Sequence, residues 1–181
     1  ITAQDKQLAE TDTLLSSRMG REYILQTAIL NARTHFDIII IDCPPNLGNL
    51  TINALVAADQ VLVPCDMSIL AFEGVADLLG AVNTVNMRLR QSLEILGILR
   101  TRVDGRTRQI NDAIGNALND NYGELLLDTS IPINSALTKA QAAGLSIFQF
   151  DARSRGACAY AELATEVTTR LAQHQSAVLA S

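Results

Sequence analysis

Residues 36–42 read Phe-Asp-Ile-Ile-Ile-Ile-Asp and run straight into Cys43-Pro44-Pro45. Consecutive β-branched residues favour an extended segment buried on both faces, as in a parallel sheet covered by helices. Pro44 and Pro45 end it, because neither can donate a ladder hydrogen bond. The pattern predicts a strand over 36–42 with Asp42 at its C-terminal mouth. Apolar runs at 60–64, 93–101 and 125–127 supply further strands, and helix-periodic stretches lie between them. Residues 68–90 carry Phe72, Val75, Leu79, Val82 and Asn86 at three- and four-residue steps, which predicts one long crossover helix containing Gly74 and Gly80. Ile110, Ala113, Ile114, Ala117 and Leu118 line a second helix. A short helix follows Ser135, and a last one covers 156–171 with Tyr160, Leu163, Val167 and Leu171 on a common side. Upstream, 21–31 forms a helix with Tyr23, Ala28 and Leu30 inward, whereas 1–10 has no clear ordered start. Such alternation defines an α/β chain with a mostly parallel sheet covered by helices.

Composition narrows the classes. At 181 residues the chain suits one domain, expected over 1–171 with a frayed tail at 172–181. Hydrophobic residues make up 48%, but aromatics only 4%, so the core is built from Ile, Leu, Val and Ala. A net charge of -5 argues against coating nucleic acid by bulk charge, while leaving room for a local basic patch. Cys43, Cys65 and Cys158 form no CxxC pair, and with only His35 and His174 beside them they indicate neither a disulfide framework nor a zinc site. A reducing cytosol fits, and no apolar run reaches the roughly 18 residues of a membrane span.

A carboxylate at the mouth of a buried strand can orient water around Mg2+ while the next loop moves with nucleotide state. Asp42 equally reads as a strand-end acid that caps local amides. The wider segment FDIIIIDCPPNLGNLTINAL (36–55) resembles the ParA branch of the ParA and MinD deviant Walker-type P-loop ATPases. The resemblance continues through LTINALVAADQVLVP, FEG, LEILGIL, IPINSALTKAQAAG and DARSRGACAYAELATEV, and SRMGREYIL at 17–25 matches the family's arginine-containing turn, so nearly the whole chain is covered.

The resemblance implies a P-loop NTPase-like fold that uses ATP and Mg2+. Asp42 would then hold the Mg2+ and attacking-water network as the catalytic acid, and Cys43, Pro44, Pro45, Asn46 and Gly48 would form the second switch. Pro132, Ile133 and Asn134 would face the adenine, with Thr101 and Arg102 bordering the same pocket. A turn proline and a surface arginine are the competing readings there. No G-x-x-x-x-G-K loop followed by Ser or Thr occurs in residues 1–181, so the family's phosphate cradle, and the lysine it sends across an ATP sandwich dimer, are expected before Ile1 in an N-terminally incomplete domain. Without that loop the chain is expected to be inactive alone.

Arg100, Arg102, Arg106 and Arg108 cluster across nine residues, opposed within that span only by Asp104. With Arg153 and Arg155 they form the candidate surface for non-specific DNA, where arginines neutralise phosphates without reading bases. Arg106 follows Asp-Gly, a family DNA-binding position that also reads as a solvent-facing turn. The family further implies plasmid or chromosome partitioning, an ATP-bound homodimer, a ParB-like centromere-binding partner, and a cytoplasmic, nucleoid-associated location. Three alternatives stand beside this. A MinD-like membrane-positioning ATPase would need a Lys/Arg-rich amphipathic face, which 172–181 lacks. An iron-sulfur ATPase would need a paired, glycine-bounded cysteine arrangement, which Cys43, Cys65 and Cys158 do not form. A non-catalytic interaction module is the third.

Overall fold

A computed structural model describes residues 19–89 and 91–179. They fall into two compact units, one from 19–61 and 77–94, the other from 62–76 and 95–179.

In the first unit, Gly20 enters at φ 70, a left-handed turn that a Cβ would strain. A 3-10 turn at Arg21–Tyr23 then leads into α1 (Ile24–Ala28) and α2 (Leu30–Arg33). The single helix expected over 21–31 is thus broken at Ile29, whose ψ of 0 leaves the helical region. Ala28 and Leu30 consequently face solvent rather than the core. α3 (Asn49–Ala57) is buried along most of its length, through Thr51, Asn53, Ala54, Leu55, Val56 and Ala57. Buried Asn53 is satisfied by accepting from the Leu25 amide at 3.1 Å and donating to the Asn49 carbonyl at 2.9 Å. Asn86, placed by periodicity on an apolar stripe, instead pairs with both backbone groups of Leu93, at 2.8 and 2.9 Å.

The expected strand over 36–42 does not form. Residues 36–42 carry no ladder, and Phe36 and Ile40 are 65% and 89% exposed. The physical reason is that β-branched residues favour extended φ and ψ, while a strand also needs a neighbour to take its amide and carbonyl groups. Among the described residues no strand runs beside it.

The second unit holds a parallel three-stranded sheet in the order β1-β2-β3, formed by β1 (Gln60–Asp66), β2 (Glu94–Val103) and β3 (Leu126–Pro132). β2 is central, and its buried run Leu96-Gly97-Ile98-Leu99 suits that place. β1 continues two residues past Pro64, and β3 begins one residue later than the apolar run that announced it. α4 (Ile69–Leu89) starts where Ser68 accepts the Ala71 amide at 3.2 Å, and from Asp77 onward it belongs to the first unit. α5 (Arg108–Tyr122) turns buried Ile114 and Leu118 inward. α6 (Ser135–Ala142) and α7 (Ile147–Asp151) follow β3, and a Ser146–Gln149 capping box opens α7. α8 (Arg155–Leu179) lies on β3, where Leu99, Leu127, Ile131, Ala159 and Leu163 form one core. Its helical backbone runs to Leu179, past the expected end at 171. The expectation of no ordered start over 1–10 lies outside the described residues.

Candidate functional site

The candidate residues occupy two places. In the first unit, Asp42 and Cys43 lie exposed on a segment without regular secondary structure. The Cys43 thiol is nonetheless desolvated by neighbouring atoms, which together with the charge of Asp42 pushes its pKa up and makes it a poor nucleophile near neutrality. Pro44, Pro45 and Asn46 are exposed and irregular, and Gly48 is the extended residue that opens α3. The loop is tied down at its far end: the buried Thr51 hydroxyl donates to the Asn46 carbonyl, and the Ile52 amide bonds the Gly48 carbonyl at 3.0 Å.

Asp42 offers one hard oxygen ligand of the kind Mg2+ takes together with phosphate oxygens. Among the described residues no group of three or more His, Cys, Asp or Glu side chains is placed to hold a metal. The donor set thus fits an ion shared with a phosphate ligand better than an all-protein cage.

In the second unit, the C-terminal ends of β2 and β3 are brought together. Val103 pairs with Pro132, and the Ile133 amide donates to the Val103 carbonyl at 3.0 Å. Thr101, Arg102, Pro132, Ile133 and Asn134 therefore share one sheet end, where ligands of open α/β sheets sit. Arg102 adopts φ 54, which a non-glycine residue holds at a cost of about 1–3 kcal/mol, and the β2–β3 register shifts over the same stretch. Such a bulge re-aims a side chain beside a site. Ile133 is 53% exposed and presents an apolar surface of the kind a planar base covers. Asn134 caps α6, its Oδ1 accepting the Ala136 amide at 2.8 Å, so that oxygen is committed to the fold. The same sheet end carries Asp66, whose Oδ1 is buried without a hydrogen-bond partner, and sequence reasoning gave it no role.

The arginines are dispersed in purpose. Arg100 turns across β3, its Nη2 donating to the Leu127 and Asp128 carbonyls at 3.3 and 3.2 Å, so its guanidinium serves the sheet. Arg106 extends into solvent and grips Asp104 at 2.8 Å. The Arg106 side-chain hydrogen bonds and backbone amide hold the Asp104 carboxyl down at about 2. Arg102, Arg153 and Arg155 are exposed, and the side chain of Arg108 lies outside the described residues. Glu166 and Arg170, which the sequence signalled only as an i, i+4 opposite-charge pair, are bound to β3.

Residues 1–95 match the family model described as an AAA domain. The sporulation initiation inhibitor protein Soj of Bacillus subtilis is 39% identical over 161 residues, covering 89% of this chain and 63% of that protein. The chromosome-partitioning ATPase Soj of Treponema pallidum is 36% identical over 156 residues, covering 86% and 61%. Cobyrinic acid a,c-diamide synthase from Mycobacterium smegmatis, solved with a bound ATP analogue and magnesium, superposes with a TM-score of 0.71 at 36% identity, over 86% of this chain and 57% of that one. The chain therefore spans about three-fifths of the length of these curated relatives. With matches of this extent and a parallel sheet of the same fold, the chain belongs to the AAA domain family, among its ParA/MinD-type P-loop ATPases.

Proposed function

We propose that this chain supplies the base-facing and switch parts of an ATP-dependent partitioning ATPase. The observation that carries the reading is the pairing of Val103 with Pro132, which puts Thr101 and a strained Arg102 at the same sheet end as Pro132–Asn134. In this reading ATP lays its adenine against Pro132 and Ile133, and Thr101 and Arg102 border it. Asp42 helps hold Mg2+ and orients the attacking water, and Cys43 to Gly48 move about the Thr51 anchor as phosphate is lost. When bound, Mg2+ neutralises charge that develops on the transferred phosphoryl group. Residues 1–181 contain no G-x-x-x-x-G-K loop followed by Ser or Thr, and in this reading turnover needs such a phosphate cradle beside these parts, so the 181-residue chain alone does not turn over ATP.

The finer reading is an ATP-bound homodimer on non-specific DNA in the nucleoid-containing cytoplasm, released by a ParB-like centromere-binding partner. Arg102, Arg106, Arg153 and Arg155 are the exposed candidates for DNA, joined by Arg108 from the sequence; Arg100 is withdrawn to β3.

The base site is tested by photocrosslinking 8-azido-ATP to the full-length protein and mapping the labelled peptides. Label on 101–103 or 132–134, displaced by ATP, supports the reading; displaceable label confined to other segments overturns it.

A further inference from the structure

β2 and β3 do not pair in step. Ile98 faces Leu126 and Arg100 faces Ser130, so two residues of advance on β2 meet four on β3. From there Arg100 to Val103 advances three while Ser130 to Pro132 advances two. The register slips across residues 127–129, and their peptide groups take partners from outside the ladder as well.

Side chains provide them. Arg100 Nη2 donates to the Leu127 and Asp128 carbonyls at 3.3 and 3.2 Å. Glu166 accepts the two successive amides, Asp128 on Oε1 and Thr129 on Oε2, each at 2.9 Å. Arg170 Nη2 bonds Glu166 Oε1 at 3.1 Å and the Leu126 carbonyl at 2.6 Å, while its Nη1 reaches the Leu96 carbonyl at 3.2 Å. Arg170 thereby bridges both strands at the start of the slip. Glu166 is well shielded, its side chain 15% exposed, so its charge-assisted bonds are little screened. Gly97 leaves room for this arrangement: a Cβ there would stand 3.0 Å from Arg170 Nη1 and 2.1 Å from Leu127 Cδ1.

We propose that Glu166, held by Arg170, is a positioning residue for the nucleotide-base site: it fixes the slip of β3 against β2 and so sets where Pro132–Asn134 meets Thr101–Arg102. The inference rests on those residues being the base site. A peptide segment out of register can relax in several ways; two amides fastened to one carboxylate on α8 select one. Three residues beyond Thr129 the chain reaches Pro132, so a relaxed slip is felt there directly. Glu166 touches no substrate in this scheme and acts through the β3 backbone.

The test uses the full-length protein with Glu166→Gln, which keeps one carbonyl oxygen for two amides, and Arg170→Lys, which keeps charge but loses the fork. Affinities for ATP, GTP and inorganic tripolyphosphate are measured with Mg2+, alongside amide hydrogen exchange at Asp128 and Thr129. In Glu166→Gln these amides exchange about tenfold faster, the size expected from losing one charge-assisted bond. ATP binding weakens about three- to tenfold, the ATP-to-GTP preference narrows, and tripolyphosphate binding is unchanged. Arg170→Lys moves the same readouts in the same direction by less, and decides the matter if Glu166→Gln fails to fold. Equal losses for ATP and tripolyphosphate, an unchanged ATP-to-GTP preference, or unaltered exchange overturn the inference. Wild-type protein that binds ATP no tighter than tripolyphosphate overturns the base-site reading and this inference with it; wild type that discriminates, beside variants that discriminate equally, overturns the inference alone.

Discussion

Gly97→Ala is the smallest change that tests the packing of α8 on the β2–β3 seam. The added methyl would lie 2.1 Å from Leu127 Cδ1 and 3.0 Å from both Arg170 Nη1 and the Leu125 carbonyl oxygen. Ordinary carbon contacts begin near 3.5 Å, so Leu127 must retreat by more than an ångström. It has little room, being 1% exposed in the core with Leu99, Ile131, Ala159 and Leu163. The Leu125 carbonyl is backbone and yields less readily than a side-chain tip. Overpacking of this kind costs about 1–3 kcal/mol, and the near-complete overlap with Leu127 puts this case at the upper end. At roughly 2–4 °C per kcal/mol for a chain of this size, the melting temperature falls by about 6–12 °C. Thermal unfolding of wild type and Gly97→Ala measures it directly. Leu127→Ala alone costs about 2–5 kcal/mol through the cavity it leaves. In the double variant the new methyl occupies part of that cavity, so the two losses sum to less than their total. A melting temperature within 2 °C of wild type, or strictly additive losses, would refute the close approach at Gly97.

Two further outcomes follow from charge. For Glu166, burial raises the carboxyl pKa, but the amide bonds from Thr129 and Asp128 and the charge of Arg170 outweigh it and leave it lowered. A carboxyl lowered on folding adds stability that is fully present above its unfolded value of about 4.3 and disappears as pH falls through the folded value. Urea unfolding across pH 2–7 should therefore show wild type exceeding Glu166→Gln by a constant margin above about pH 5 and a shrinking one below about pH 4; a margin independent of pH contradicts the pairing. For Arg106, proposed to contact DNA, Arg106→Ala in the full-length protein should weaken binding across sequences alike and lower the slope of log affinity on log salt by about one. Unchanged affinity and slope would assign Arg106 to its turn with Asp104.

Where a feature depends on neighbours in sequence, the chain announced it. The start of α4 near Ser68 and the Asp104-Gly105-Arg106 turn rest on contacts within a few residues. Features that depend on remote partners were hidden. The isoleucines at 38–41 specify an extended backbone, yet nothing in their order says which segment must pair with them. The inward turn of Arg100 follows from the slip of β3, a register that no single strand encodes. Glu166 and Arg170 show an i, i+4 spacing that is commonplace on solvent-facing helices, so their grip on β3 was invisible. The base-facing role proposed for Pro132, Ile133 and Asn134 rests on resemblance, and the pairing of Val103 with Pro132 came from the structure alone.

We propose, above all, that Asp42 serves as the Mg2+ carboxylate, residues 43–48 as the switch and Pro132–Asn134 as the base wall of an ATPase whose phosphate cradle is not among residues 1–181. The direct measurement is phosphate release by the full-length protein, its Asp42→Ala variant and the purified 181-residue chain, each with Mg2+-ATP, DNA and the centromere-binding partner. The account predicts turnover by the full-length protein, loss of at least about a hundredfold in Asp42→Ala, and none above background from the 181-residue chain. Turnover by the short chain comparable to the full-length protein and abolished by Asp42→Ala, or full activity in full-length Asp42→Ala, would contradict it.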